Sequence, residues 1–126
     1  MREFFQLGLR RNFEAEHALT GGDWGAENER HQHAYLWEVR LRSASLDNHG
    51  YLVDLIALQA ALDGVLARYR GTFLNDLPDF QGRNPSLERF ARVLGKGLAS
   101  ALDDRRILVE SVLWENNEAW ASWSAK

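Results

Sequence analysis

The sequence has 126 residues, 45% of them hydrophobic and 26% charged, with a formal net charge of -3. Those proportions are globular and the length suits one domain, residues 1–126, so disorder and fibrous repeats are excluded. The absence of cysteine removes disulfides, thiolate metal sites and thiol nucleophiles, and a slightly acidic chain has no basic footprint for nucleic acid.

Residues 1–9 contain apolar side chains but no continuous apolar stretch followed by a small-residue cleavage signal. No apolar run approaches the ~20 residues needed to span a bilayer. A cytoplasmic protein without a membrane partner is the expectation. Residues 4–17 read as a strand, because Phe5, Leu7, Leu9, Phe13 and Ala15 share one parity. His17 falls on the same parity. Arg11 interrupts it, which predicts a bend or a sheet edge there. Gly21, Gly22 and Gly25 among polar residues mark 20–30 as a loop. Residues 31–42 read as a second strand, with His31, His33, Tyr35, Trp37, Val39 and Leu41 facing one way.

Residues 54–69 repeat Leu55, Leu58, Leu62, Val65, Leu66 and Tyr69 at helical spacing, giving one apolar stripe. A long connection covers 72–83. Asn84 and Pro85 read as the N-cap and first position of a second helix, whose apolar face is Leu87, Phe90, Ala91, Leu94, Leu98 and Ala101. Residues 105–115 form a third strand with Ile107, Val109 and Leu113 on one face and Glu115 continuing it. Asn116 and Asn117 make a turn, and 118–124 return as a fourth strand. Strand–strand–helix–helix–strand–strand packs most simply as a four-stranded antiparallel sheet with both helices on one face, an α+β fold. The opposite face carries Leu36, Leu108, Val112 and Trp114. That face and the two sheet edges favour a homo-oligomer.

His31 and His33 are two apart on one strand, and His17 shares their facing at the end of its neighbour. Three imidazoles converging from two strands are a ligand set for Zn²⁺, with a fourth position for water or substrate. Iron, copper and nickel accept the same ligands. The competing reading is hydrogen-bonded rings at a sheet end; three of the four histidines on one face favour the metal. His49 lies in a turn and is expected to be solvated. Glu115, a carboxylate on the apolar face, needs a partner: either an arginine of the fold or a ligand with paired N–H donors. Glu27 and Glu29 sit in the loop before the histidine pair. Loop carboxylates are ordinarily solvated, but these are candidates to meet the metal or a substrate proton.

Over nearly its whole length the chain resembles the 6-pyruvoyl-tetrahydropterin and 6-carboxytetrahydropterin synthase family. The resemblance rests on Phe13-Glu14-Ala15-Glu16-His17 (F-x-A-x-H), His31-Gln32-His33 (H-G-H) and Gly50-Tyr51-Leu52-Val53-Asp54-Leu55. It continues with Phe73-Leu74-Asn75-Asp76, Asn84-Pro85-Ser86-Leu87-Glu88 (N-P-T-x-E) and Val112-Leu113-Trp114-Glu115. It implies the tunnelling fold, in which trimeric barrels stack into hexamers. It also implies zinc held by His17, His31 and His33, and a pterin ring anchored by Glu115. The family's catalytic cysteine is replaced by Glu27, its Asp-His pair by Arg70 and Gly71, and the glycine of H-G-H by Gln32. The expected function is therefore a zinc-dependent lyase or synthase acting on or binding a dihydropterin, with Glu27 moving protons. The alternative is a zinc- and pterin-binding protein without family turnover. Retained chemistry is expected to be gentle, such as a retro-aldol step that depends on Glu27.

Overall fold

The computed structural model describes residues 2–125. Strands β1 (Phe5–His17) and β2 (His31–Ser43) are followed by helices α1 (Leu55–Leu66) and α2 (Leu87–Leu102), then by strands β3 (Leu108–Trp114) and β4 (Trp120–Ala125). The strands form one antiparallel sheet in the order β1-β2-β3-β4. Its register pairs His17 with His31, Leu9 with Val39, Leu41 with Val109 and Val109 with Ala125. Both helices cover one face, as the alternation of β2 requires: Tyr35, Trp37, Val39 and Leu41 are buried against Leu58, Leu62, Phe90, Leu94 and Leu98. Fully burying each such side chain contributes roughly 1.5–3 kcal/mol. Gly95 lets α2 sit close on the sheet, since a Cβ there would lie 2.4 Å from the Trp123 ring and 2.8 Å from Ser111. Among the described residues no helix is long and apolar enough to cross a membrane.

The structure departs from the sequence reading at several places. Helix α1 ends at Leu66, so Tyr69 is buried from the turn beyond it, and β3 and β4 begin at Leu108 and Trp120 rather than at 105 and 118. Arg11 neither bends nor ends β1; its guanidinium reaches over to Asp63 of α1 at 2.9 Å, so the charge is met while the strand continues. Leu55 is exposed rather than part of the α1 stripe, because the first helical turn stands beside Phe5 and Tyr51 at an uncovered end of the sheet. The N-cap of α2 is Ser86, whose hydroxyl accepts from the Arg89 amide at 3.1 Å. Asn84 and Pro85 precede the helix. Ala101, expected on the apolar face of α2, is exposed at the helix end.

The far face of the sheet mixes charge and apolar area. Glu38 is buried there between Arg10 and Arg40, while Trp114 and Trp120 lie 6.0 Å apart. The edge of β1 is covered at its histidine end by the chain itself, through Gly71 N–H to Glu14 carbonyl (2.7 Å) and Glu16 N–H to Thr72 carbonyl (2.8 Å).

Candidate metal centre

The register puts His17 opposite His31 and Ala15 opposite His33, so all three imidazoles stand on the core face where β1 and β2 leave the sheet. Their ring centroids are 4.5–4.8 Å apart and the rings are nearly perpendicular. The loop after β1 closes in a short 3-10 turn at Gly25–Asn28, which delivers Glu27 to the cluster. Glu27 Oε2 lies 2.7 Å from His31 Nε2 and 3.8 Å from His17 Nε2. One ligand atom each from His17, Glu27, His31 and His33 falls within a 4.8 Å span.

Backbone carbonyls fix the rings. His17 Nδ1 lies 3.0 Å from the Pro85 carbonyl and His31 Nδ1 lies 2.7 Å from the Glu29 carbonyl. A carbonyl only accepts, so each Nδ1 carries a proton, and in the neutral ring each Nε2 then presents a lone pair inward, the outer arrangement of metal-binding histidines. Burial holds the His17 imidazole below its ordinary value, against the opposing hydrogen bond to Pro85. His17 Nε2 is buried with no hydrogen-bond partner. His31 Nε2 faces both the Glu27 carboxylate at 2.7 Å and His33 Nε2 at 3.1 Å. Converging acceptors repel unless a cation or proton lies among them. An orphaned buried nitrogen beside clustered lone pairs and a carboxylate fits a divalent ion with N/O preference, and Zn²⁺ suits three histidines.

Glu115 stands at the end of β3, with Oε2 4.0 Å from His33 Nε2. Among the described residues no arginine pairs with it, so the first of its two expected partners is not met. Tyr35 forms the floor between these groups, stacked on Phe13 at 5.2 Å and tilted against His33 at 5.5 Å. Burial, with the Glu115 and Glu27 charges, pushes its phenol up. Glu29 contributes its carbonyl rather than its carboxylate, and His49 is exposed and stacked on Tyr51, as expected for a solvated turn. Arg70 is exposed, and Gly71 turns the chain at φ 72. Sequence reading missed the Pro85 and Glu29 carbonyls, since a backbone acceptor leaves no residue-type signal.

A ββααββ subunit with histidines at the mouth of its first two strands is the tunnelling-fold arrangement. The model of the 6-pyruvoyl tetrahydropterin synthase family matches residues 6–126, and the chain belongs to that family. It is 29% identical over 109 residues to the dihydroneopterin monophosphate aldolase of Pyrococcus furiosus, which covers 86% of this chain and 88% of that protein. Among solved structures, Caenorhabditis elegans 6-pyruvoyl tetrahydropterin synthase superposes with a TM-score of 0.86 at 22% identity, covering 98% of this chain and 97% of that one. A catalytic-residue mutant of the Plasmodium vivax 6-pyruvoyltetrahydropterin synthase, with glutamate changed to alanine, gives 0.81 at 15% identity, covering 98% and 99%.

Proposed function

We propose that this chain is a zinc-dependent aldolase for a phosphorylated dihydroneopterin, with His17, His31 and His33 holding the metal, Glu115 anchoring the pterin and Glu27 moving protons. The observation that carries the reading is the half-exposed Glu27 carboxylate set 2.7 Å from His31 Nε2, beside the histidine cluster. The family's synthase chemistry uses a thiol and an Asp-His pair, whereas this chain has no cysteine and carries Arg70 and Gly71 at the pair's positions. The relative from Pyrococcus furiosus is named for an aldol cleavage, a reaction with a lighter proton demand.

Retro-aldol cleavage needs one base and no co-reactant. Glu27 accepts the proton of the C2′ hydroxyl as the C1′–C2′ bond breaks. The electron pair of that bond passes through C1′ into the conjugated C6=N5 bond of the dihydropterin. Glu27 then returns the proton to C1′. The products are 6-hydroxymethyl-dihydropterin and a phosphorylated glycolaldehyde, which together account for every atom. Zinc, when bound, supplies positive charge that eases loss of a proton from a side-chain hydroxyl. Glu115, with no arginine on it, accepts two N–H groups from the 2-amino-4-oxo edge and fixes the ring. Tyr35 and Phe13 close the floor against water.

The test is incubation of zinc-loaded protein with 7,8-dihydroneopterin monophosphate, followed by mass spectrometry. Both products are expected, with turnover reduced about 10²–10⁴-fold in Glu27→Ala, the usual loss of a general base. Binding without products, or products unchanged in Glu27→Ala, overturns the assignment. The family's homo-oligomer, a hexamer, is part of the same proposal, and the location is proposed to be cytoplasmic.

A further inference from the structure

Beyond His17 the chain continues as an extended segment whose partners are mostly side chains. The Ala18 N–H donates to Asn75 Oδ1 at 2.9 Å, and the Ala18 carbonyl accepts from Asn75 Nδ2 at 2.8 Å. Two residues on, the Thr20 N–H donates to Asn84 Oδ1 at 2.8 Å and the Thr20 carbonyl accepts from Asn84 Nδ2 at 2.9 Å. Between them Leu19 faces the other way: its N–H donates to the Glu27 carbonyl at 2.8 Å and its carbonyl accepts from Asn28 Nδ2 at 3.0 Å. Every backbone donor and acceptor of these residues is therefore paired. A primary amide offers one acceptor edge and a donor edge, so each asparagine copies what a neighbouring strand would give.

The arrangement ties the metal centre to distant loops. Asn75 sits in the 3-10 turn Leu74–Asp76 and Asn84 in the lead-in to α2. The residue after Asn84 is Pro85, whose carbonyl holds the His17 ring. On the other side, the Leu19 N–H fixes the backbone of Glu27, and Asn28 accepts from the Trp24 N–H at 2.7 Å while also donating to the Gly22 carbonyl at 2.9 Å. A loop containing Gly21, Gly22 and Gly25 has little stiffness of its own.

We propose that Asn75 and Asn84 are positioning residues that clamp Ala18 and Thr20, and through Leu19 set the place of the Glu27 carboxylate among the histidine nitrogens. This rests on the metal-centre reading above. They act through Glu27, so their loss and the loss of Glu27 are expected to overlap rather than multiply.

The experiment is a double-mutant cycle of Glu27→Ala with Asn84→Ala, and again with Asn75→Ala, read first in zinc affinity by competition with a chelator. Each single variant is expected to weaken zinc about 10-fold or more, the scale of outer-shell losses. The double variant is expected to fall within about twofold of the weaker single. Losses that multiply, or zinc affinity unchanged in both asparagine variants, overturn the clamp. Hydrogen exchange provides a second readout: the segment 18–29 exchanges at least 10-fold faster in Asn84→Ala while β2 is unchanged, and an unchanged segment overturns the proposal. If an alanine variant does not fold, Asn84→Asp decides: it keeps the acceptor for the Thr20 N–H but sets a carboxylate oxygen against the Thr20 carbonyl in place of the donor, so unchanged zinc affinity and exchange in it overturn the clamp. The same cycle in kcat is expected to show overlapping losses with KM within about threefold. Wild type that binds zinc without turnover defeats the aldolase reading while the zinc cycle still judges the clamp. Wild type that binds no zinc defeats the metal reading, and exchange alone then judges the clamp.

Discussion

Replacing Glu115 by glutamine is expected to separate the proposed recognition of the pterin ring from folding. The side chain is partly exposed, its carboxylate is 4.0 Å from His33 Nε2, and no arginine among the described residues pairs with it. Its removal therefore leaves no cation buried without a partner, and the unfolding midpoint is expected to stay where it is. In the proposed pterin complex the situation differs. A carboxylate accepts two parallel N–H groups, whereas glutamine accepts one and turns an NH₂ toward the other. One charge-assisted hydrogen bond is lost, a contribution of about 1.5–3 kcal/mol. That corresponds to a dissociation constant raised about 10- to 150-fold. Calorimetric titration of zinc-loaded wild type and Glu115→Gln with 7,8-dihydroneopterin measures it. Equal affinities would refute the anchor, and so would an affinity loss matched by a lowered unfolding midpoint, which would make Glu115 a structural residue.

Ser111→Ala leaves the indole N–H of fully buried Trp37 without its 2.9 Å acceptor; a loss of about 1–3 kcal/mol in denaturant unfolding is expected, and an unchanged midpoint would contradict it. Burial alone would raise the Glu38 carboxyl, but the hydrogen bonds from Arg10 and Arg40 outweigh it and hold the group below its ordinary 4.5. Its contribution is thus complete above that value and is lost as pH falls through the folded value; Arg10→Gln is expected to move the acid-unfolding midpoint to higher pH. In His31→Ala, zinc measured by plasma emission is expected to fall from about one equivalent to under a tenth, because the substitution removes a proposed ligand together with its carbonyl-held ring. Sedimentation is expected to show an oligomer at micromolar concentration, and a monomer would defeat the proposed assembly.

The alternation of β1 and β2 was enough to place His17, His31 and His33 on one face, because a strand's period of two leaves no freedom in facing once the apolar side is known. The same rule put Glu115 on that face and predicted four strands and two helices in the observed order. Local pattern failed where the surroundings decide burial. Leu55 and Ala101 sit at helix ends with no layer over them, and Asn84 yields the cap of α2 to Ser86 because its amide is taken up by Thr20, 64 residues away. Distances across the site are of the same kind. Glu27 at 2.7 Å from His31, Glu115 beside His33, the Pro85 carbonyl on His17 and the asparagine pairs on Ala18 and Thr20 depend on how three loops close over the end of the sheet. Sequence periodicity carries facing but not loop closure, since a loop's path is fixed by the partners it meets and not by its own residues.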